Sequence, residues 1–310
     1  MAHCHTIATH DRCHFDEVVA RVLFQAHGEE LFPGANTAQL VRWKNGDTPD
    51  GRPADAWEAE GTIPIGVGHG RFDEHLPGGG RIPGECTATL VAKALGIGNH
   101  PNFRRLLEFT LKTDEGPAQH PFDTSAVLKA MHKRHPNHPE SGEGWAAEAI
   151  GATISPAKDA RRVPLVPLLR VLEIRNPPCD KLVRFAERAD ARLGLGNPAE
   201  HPFDLTAIAG KLPADRATEW LTQALIALRD GQYAFNATAV EFAREAVVHE
   251  VPCSWARYPV HIVALVSANE QIAAFARSQS GCDAVIVIQR HPQSGLTQIS
   301  WDDALDHIGE

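Results

Sequence analysis

The chain has 310 residues, of which 43% are hydrophobic and 22% charged, with a formal net charge of -9. That length and composition predict a sizeable buried core in two domains, or in one enlarged by an insertion. The negative balance opposes attraction to a polyanion and argues against a binder of long duplex nucleic acid. No apolar run approaches the roughly 18 residues that span a bilayer. The opening MAHCHTIATH lacks the basic start and apolar stretch of a secretion signal, so a cytoplasmic location and no membrane partner are expected. Six cysteines, at 4, 13, 86, 179, 253 and 282, form no CxxC pair, which argues against a disulfide framework or a ribbon-type zinc site.

In chain order, HTIATH reads as a strand, FDEVVARVLFQAHG as a helix, AQLVRW and TIPIGVG as strands, and CTATLVAKALG as a helix. This alternation predicts an α/β domain over residues 1–100, a parallel sheet with flanking helices. From 101 to 248 the spacing turns helical, as in ATEWLTQALIALRD and ATAVEFAREAVV, and predicts a helical lobe. This lobe holds an internal echo: PAQHPFDTSAV at 117–127 returns as PAEHPFDLTAI at 198–208, and Phe109 to Asp114 matches Phe185 to Asp190. Either Phe-Asp provides a staple and N-cap to two similar helices, or the module is duplicated with one functional copy. Residues 249–310 return to strands, VHIVALVS, DAVIVIQRH and LTQISW, with the helix ANEQIAAFARS between the first two. They predict a small C-terminal α/β module, with HPQSG as a hairpin turn.

The chemistry concentrates in two loops. THDRCHFDEVVA places His10, His14 and Asp16 between the first strand and its helix, where a cap alone would need only one Asp. GHGRFDEH places His69, Asp73, Glu74 and His75 after the strand TIPIGVG. Ligands gather at the carboxyl edge of such sheets, so the two clusters are expected to meet there and form a metal site. Mixed imidazole and carboxylate donors suit manganese or zinc, with magnesium possible. Other candidates are weaker. MHKRHPNHPE, with His132, His135 and His138, reads as a basic loop because Pro136 stops the helix. The pairs Arg104-Arg105, Lys133-Arg134 and Arg161-Arg162 read as solvated faces, and the six tryptophans as packing residues.

As a set, the two loops resemble the DHH-type phosphoesterases, whose first motif has a His followed four and six residues later by two acidic ligands, and whose later motif is Asp-His-His. The corresponding residues here are His10, His14 and Asp16, then Asp73, Glu74 and His75. HFDEVVA, VRWKNGD, RFDEH and PGECTATLVAKALG look closest to the melanocyte-proliferating-gene branch, a group of exonuclease-like proteins, over residues 5–115. The first loop is one residue shorter than in that branch. Gly66 stands where the family has a bridging aspartate, and Glu74 replaces the middle histidine. The resemblance implies a metal-dependent phosphoester hydrolase acting on short single-stranded oligonucleotides or small nucleotides. His10, His14, Asp16, Glu74 and Asp114 would hold the metal, Asp73 would orient its neighbours, and His75 would contact the scissile phosphate. The rival expectation, favoured by Gly66, is a non-catalytic binding or regulatory protein with a residual metal or phosphate pocket. His69 is a candidate to compensate for the missing bridge.

Overall fold

The computed structural model describes residues 3–116, 122–154, 163–175, 179–191, 203–252, 259–278 and 281–301. It is a mixed α/β structure with two separate sheets and eleven α-helices among the described residues. The chain divides into two compact units, Met1–Arg229 and Asp230–Glu310, where the sequence suggested three segments. The sheet of residues 1–100 and most of the helical stretch thus belong to one unit.

In the first unit, β1 (Thr6–His10) lies between β2 (Gln39–Trp43) and β3 (Thr62–Pro64), both parallel to it. Ile7 and Ala8 of this central strand are fully buried, the pattern of a parallel strand covered on both faces. His10 pairs with Trp43 and Ala8 with Pro64, so all three strands end at one edge. The loops that leave that edge, residues 11–14, 44–48 and 65–75, carry both of the polar clusters.

α1 (Phe15–His27) follows β1 directly. Its apolar residues Val18, Val19, Leu23 and Phe24 are buried, and it packs on α3 (Thr87–Ala94), α4 (Pro101–Asp114) and α6 (Pro139–Ile154). A short helix, α2 (Ala54–Ala59), which the sequence pattern did not indicate, leads into β3.

The helical stretch contains a two-fold echo in space as well as in sequence. α5 (Thr124–Arg134) and α9 (Leu205–Ala209) start after Asp123 and Asp204, which pair in an isolated antiparallel bridge. Thr124 N–H donates to Phe203 O at 3.3 Å, and Leu205 N–H to Phe122 O at 3.1 Å. Trp145 of α6 and Trp220 of α10 (Ala214–Glu245) stack with centroids 4.4 Å apart, and each indole N–H donates to the other's carbonyl at 3.0 and 3.1 Å. These reciprocal contacts bring the two Phe-Asp helix starts together in space. The Pro-rich halves of the repeat, 117–121 and 198–202, lie outside the described residues. The echoing aspartates differ in their surroundings: Asp190, on α8 (Asp180–Ala191), accepts from Leu165 and Val166 N–H beside α7 (Val166–Val171), whereas its counterpart Asp114 faces the polar loops.

In the second unit, four strands run in the order β4 (Val247–Val251), β5 (Val260–Val266), β6 (Ala284–Arg290) and β7 (Thr297–Trp301). β5 and β6 are parallel and joined through α11 (Ile272–Ala276); the outer pairs are antiparallel. HPQSG turns the chain between β6 and β7, with Gly295 at φ +68°. β4 begins at 247, inside the stretch expected to be helical. Its pairing with β5 fixes Val247–Val251 as extended, in keeping with its three β-branched valines.

Candidate metal centre

α1 begins with polar residues because its first turn faces the sheet edge. Glu17, at the third helical position, reaches back and accepts from His14 N–H at 2.7 Å, as in a capping box. Its other oxygen accepts from His10 N–H at 3.3 Å and bonds His10 Nδ1 at 2.7 Å. This ring bond holds the His10 pKa above its ordinary value, because the carboxylate favours the charged imidazole. It also turns Nε2 away from Glu17, toward Gly46.

The carboxylate of Glu17 lies over Gly66. A Cβ built on Gly66 would sit 2.7 Å from Glu17 Cγ and 2.8 Å from Oε1, and Gly66 has φ +71°, a conformation L-residues rarely adopt. Glu17 therefore fills the space that an aspartate at 66 would need. The family resemblance marks Gly66 as a gap and assigns no role to Glu17, one of the polar residues packed into the first loop.

The third motif is folded around Asp73. This carboxylate accepts from His69 N–H at 2.8 Å and from His75 N–H at 3.0 Å, and bonds His75 Nδ1 at 3.0 Å. Glu74 lies beside this pair, with Oε1 3.4 Å from His75 Nδ1, and accepts from Thr87 Oγ1–H at 2.8 Å and from Arg81 Nη2–H at 3.0 Å. Arg81 also pairs with Asp114. It is returned to this place by a tight loop in which Gly78, Gly79 and Gly80 all have positive φ, and which His75 and Arg81 close as a bridge.

There are three groups in which the potential ligand atoms of each lie within 4.8 Å of one another: His14, Asp16 and Glu17; Asp16, Glu74 and Asp114; and Asp73, Glu74 and His75. The first and third motifs thus meet at one edge, and Asp114 reaches them from the end of α4. Asp16 belongs to two of the groups and is 3% exposed. Burial, then the charges of Asp114, Glu17 and Glu74, push its pKa well above the ordinary carboxylate range. One guanidinium, Arg81, faces Glu74 and Asp114, while no ion pair reaches Asp16 among the described residues. An excess of buried carboxylate over cation, with imidazole at its rim, fits a divalent ion.

His10 and His69 lie beside these groups rather than inside them. Both line a cleft of about 340 Å³ with Asp47, Gly66, Asp73, His75 and the Gly78–Gly80 loop. His69 bonds His75 O through Nδ1 at 3.2 Å and belongs to none of the three ligand groups, so it does not stand in for the missing bridge. A larger hollow of about 550 Å³ between α3 and α4 has its charges paired, Lys93 with Glu85 and Arg104 with Glu108, and borders no ligand group. The chemistry therefore points to the smaller cleft.

The histidines of MHKRHPNHPE do not converge. His132 is buried within α5, where burial lowers its pKa; His135 follows that helix and His138 pairs with Glu140 at 3.1 Å. No family model, no curated protein and no solved structure matches this chain. No helix among the described residues is long and apolar enough to cross a membrane.

Proposed function

We propose that the chain is a metal-dependent phosphoester hydrolase of DHH type, acting on small nucleotides or short single-stranded oligonucleotides. The observation that carries this reading is Asp16: one buried carboxylate common to a His14–Glu17 group and a Glu74–Asp114 group, at the carboxyl edge of a parallel sheet and close to an open cleft. His14, Asp16, Glu17, Glu74 and Asp114 would hold manganese or zinc, with magnesium as the oxygen-preferring alternative. A bound ion supplies a water acidic enough to ionise near neutral pH and polarises a phosphoryl oxygen.

The chain's own residues prepare the rest. Asp73 binds His75 through Nδ1 and through its backbone N–H, which fixes the ring, and in the imidazolium form Nε2 would donate to a phosphoryl oxygen. Glu17 orients His10 in the same manner, with Nε2 on the cleft side. The acidic balance of the chain favours small substrates over long duplexes.

Hydrolysis of bis(p-nitrophenyl) phosphate and of a five-nucleotide strand, with manganese, zinc or magnesium added singly, tests the reading. Turnover should require the ion, and His75→Ala should lower it by about 100-fold with metal content unchanged, the loss expected when one donor to the transition-state charge is removed. Turnover independent of metal would overturn it. Gly66 supports the second reading, a non-catalytic pocket: metal bound by wild type with no hydrolysis of either ester would favour that.

A further inference from the structure

The loop that presents His10 and His14 is gripped on its cleft side by Glu17 and elsewhere by a half-buried ion pair outside the ligand groups. Arg42, one residue before the end of β2, and Glu143, on α6, are joined by two hydrogen bonds of 2.7 Å, Nη1 to Oε1 and Nη2 to Oε2. This is the forked arrangement that only arginine offers a carboxylate. The same Nη1 donates to Asp11 O at 3.0 Å and His10 O at 3.3 Å, and Glu143 Oε1 accepts from Cys13 N–H at 3.2 Å. Together with the two backbone bonds to Glu17, five polar backbone atoms of residues 10–14 are fixed by two carboxylates and one guanidinium. α6 reaches this position because Gly142 lets it lie close on α5: a Cβ there would stand 3.1 Å from Met131 Cβ and 3.2 Å from Leu128 Cδ1.

We propose that Arg42 and Glu143 are positioning residues that hold residues 10–14 in the conformation presenting His10 and His14, so that α6 sets the geometry of the metal loop. The inference rests on the metal reading for its consequence, though the clamp itself can be tested without metal. Glu143 is almost wholly buried, and a buried carboxylate that receives three hydrogen bonds has a defined place from which it cannot shift cheaply.

Two measurements on the full chain separate the claims. In metal-free protein, hydrogen exchange at Cys13 N–H should speed by roughly tenfold or more in Glu143→Gln, as a local opening, with core amides unchanged. In the same variant, affinity for manganese should fall by about 10–100-fold, the loss typical when a group supporting a metal ligand is removed. Arg42→Lys keeps the charge without the fork and should give the same two changes in smaller degree, which keeps the test available if Glu143→Gln does not fold. Glu148→Gln, on α6 like Glu143 but breaking a surface pair with Arg216 of α10, should change neither quantity. Unchanged Cys13 exchange, or faster exchange with unchanged manganese affinity, would overturn the proposal. Wild type that binds no manganese would instead contradict the metal reading, and the exchange at Cys13 would then decide the clamp by itself.

Discussion

Asp16 is the residue on which the account turns, and its cost to the fold is testable. Its pKa is raised in the folded chain by burial and by Asp114, Glu17 and Glu74, so between the unfolded value and the raised one the native state binds more protons. Stability of the metal-free protein therefore falls as pH rises through that window, and the full cost is felt above it. Asp16→Asn removes the charge while keeping the shape. At neutral pH the metal-free variant should be more stable than wild type by about 1–2 kcal/mol, the gain typical when a strained functional group is relieved. Urea unfolding measures it. In excess manganese the order should reverse, because an ion that binds only the native wild type adds to its stability alone. A variant less stable than wild type in both conditions would show that Asp16 is structural.

At the scale of elements, the start of α1 and the turn at Gly66 form one device. Glu17 caps the helix, orients His10 and fills the space over Gly66. Gly66→Asp, which on the sequence alone restores a missing bridge, should here be destabilising: positive φ at a non-glycine residue costs about 1–3 kcal/mol, and the new Cβ meets Glu17 Cγ at 2.7 Å. Glu17→Ala should then cost less combined with Gly66→Asp than alone, since the neighbours compete for one space. Strictly additive effects in urea unfolding would contradict this.

The same device explains what could be read in advance. β1, α1, β2 and α3 were legible because period and punctuation agree with the tertiary structure. His14, Asp16, Asp73, Glu74 and His75 stood out as surplus polar residues beside buried strands. Glu17 stood out with them as part of the first polar loop but without an assigned role, and Glu143 did not, because a glutamate within a helical pattern looks like a solvated face until packing buries it. Arg42 was hidden for the same reason, at the end of a strand. β4 was missed because all five of its residues are exposed, so no buried alternation sets VVHEV apart from the end of the helical pattern before it.

For the whole molecule, the two echoing stretches of the helical region play different parts. Both start a helix after Phe-Asp, and the two starts pair with each other. Asp114 of the first lies at the sheet edge, whereas Asp190 of the second accepts from the backbone at the start of α7. The proposed centre would thus draw on three stretches: the first loop, the third motif and the end of α4. The most direct measurement is the manganese stoichiometry and affinity of full-length protein stripped with chelator, by titration calorimetry, for wild type, His14→Ala and Asp114→Asn. Wild type should bind at least one ion per chain, and each variant, still folded, should bind about 10-fold or more weakly as one ligand is lost. Equal binding by all three, or none by folded wild type, would contradict a metal centre at this edge.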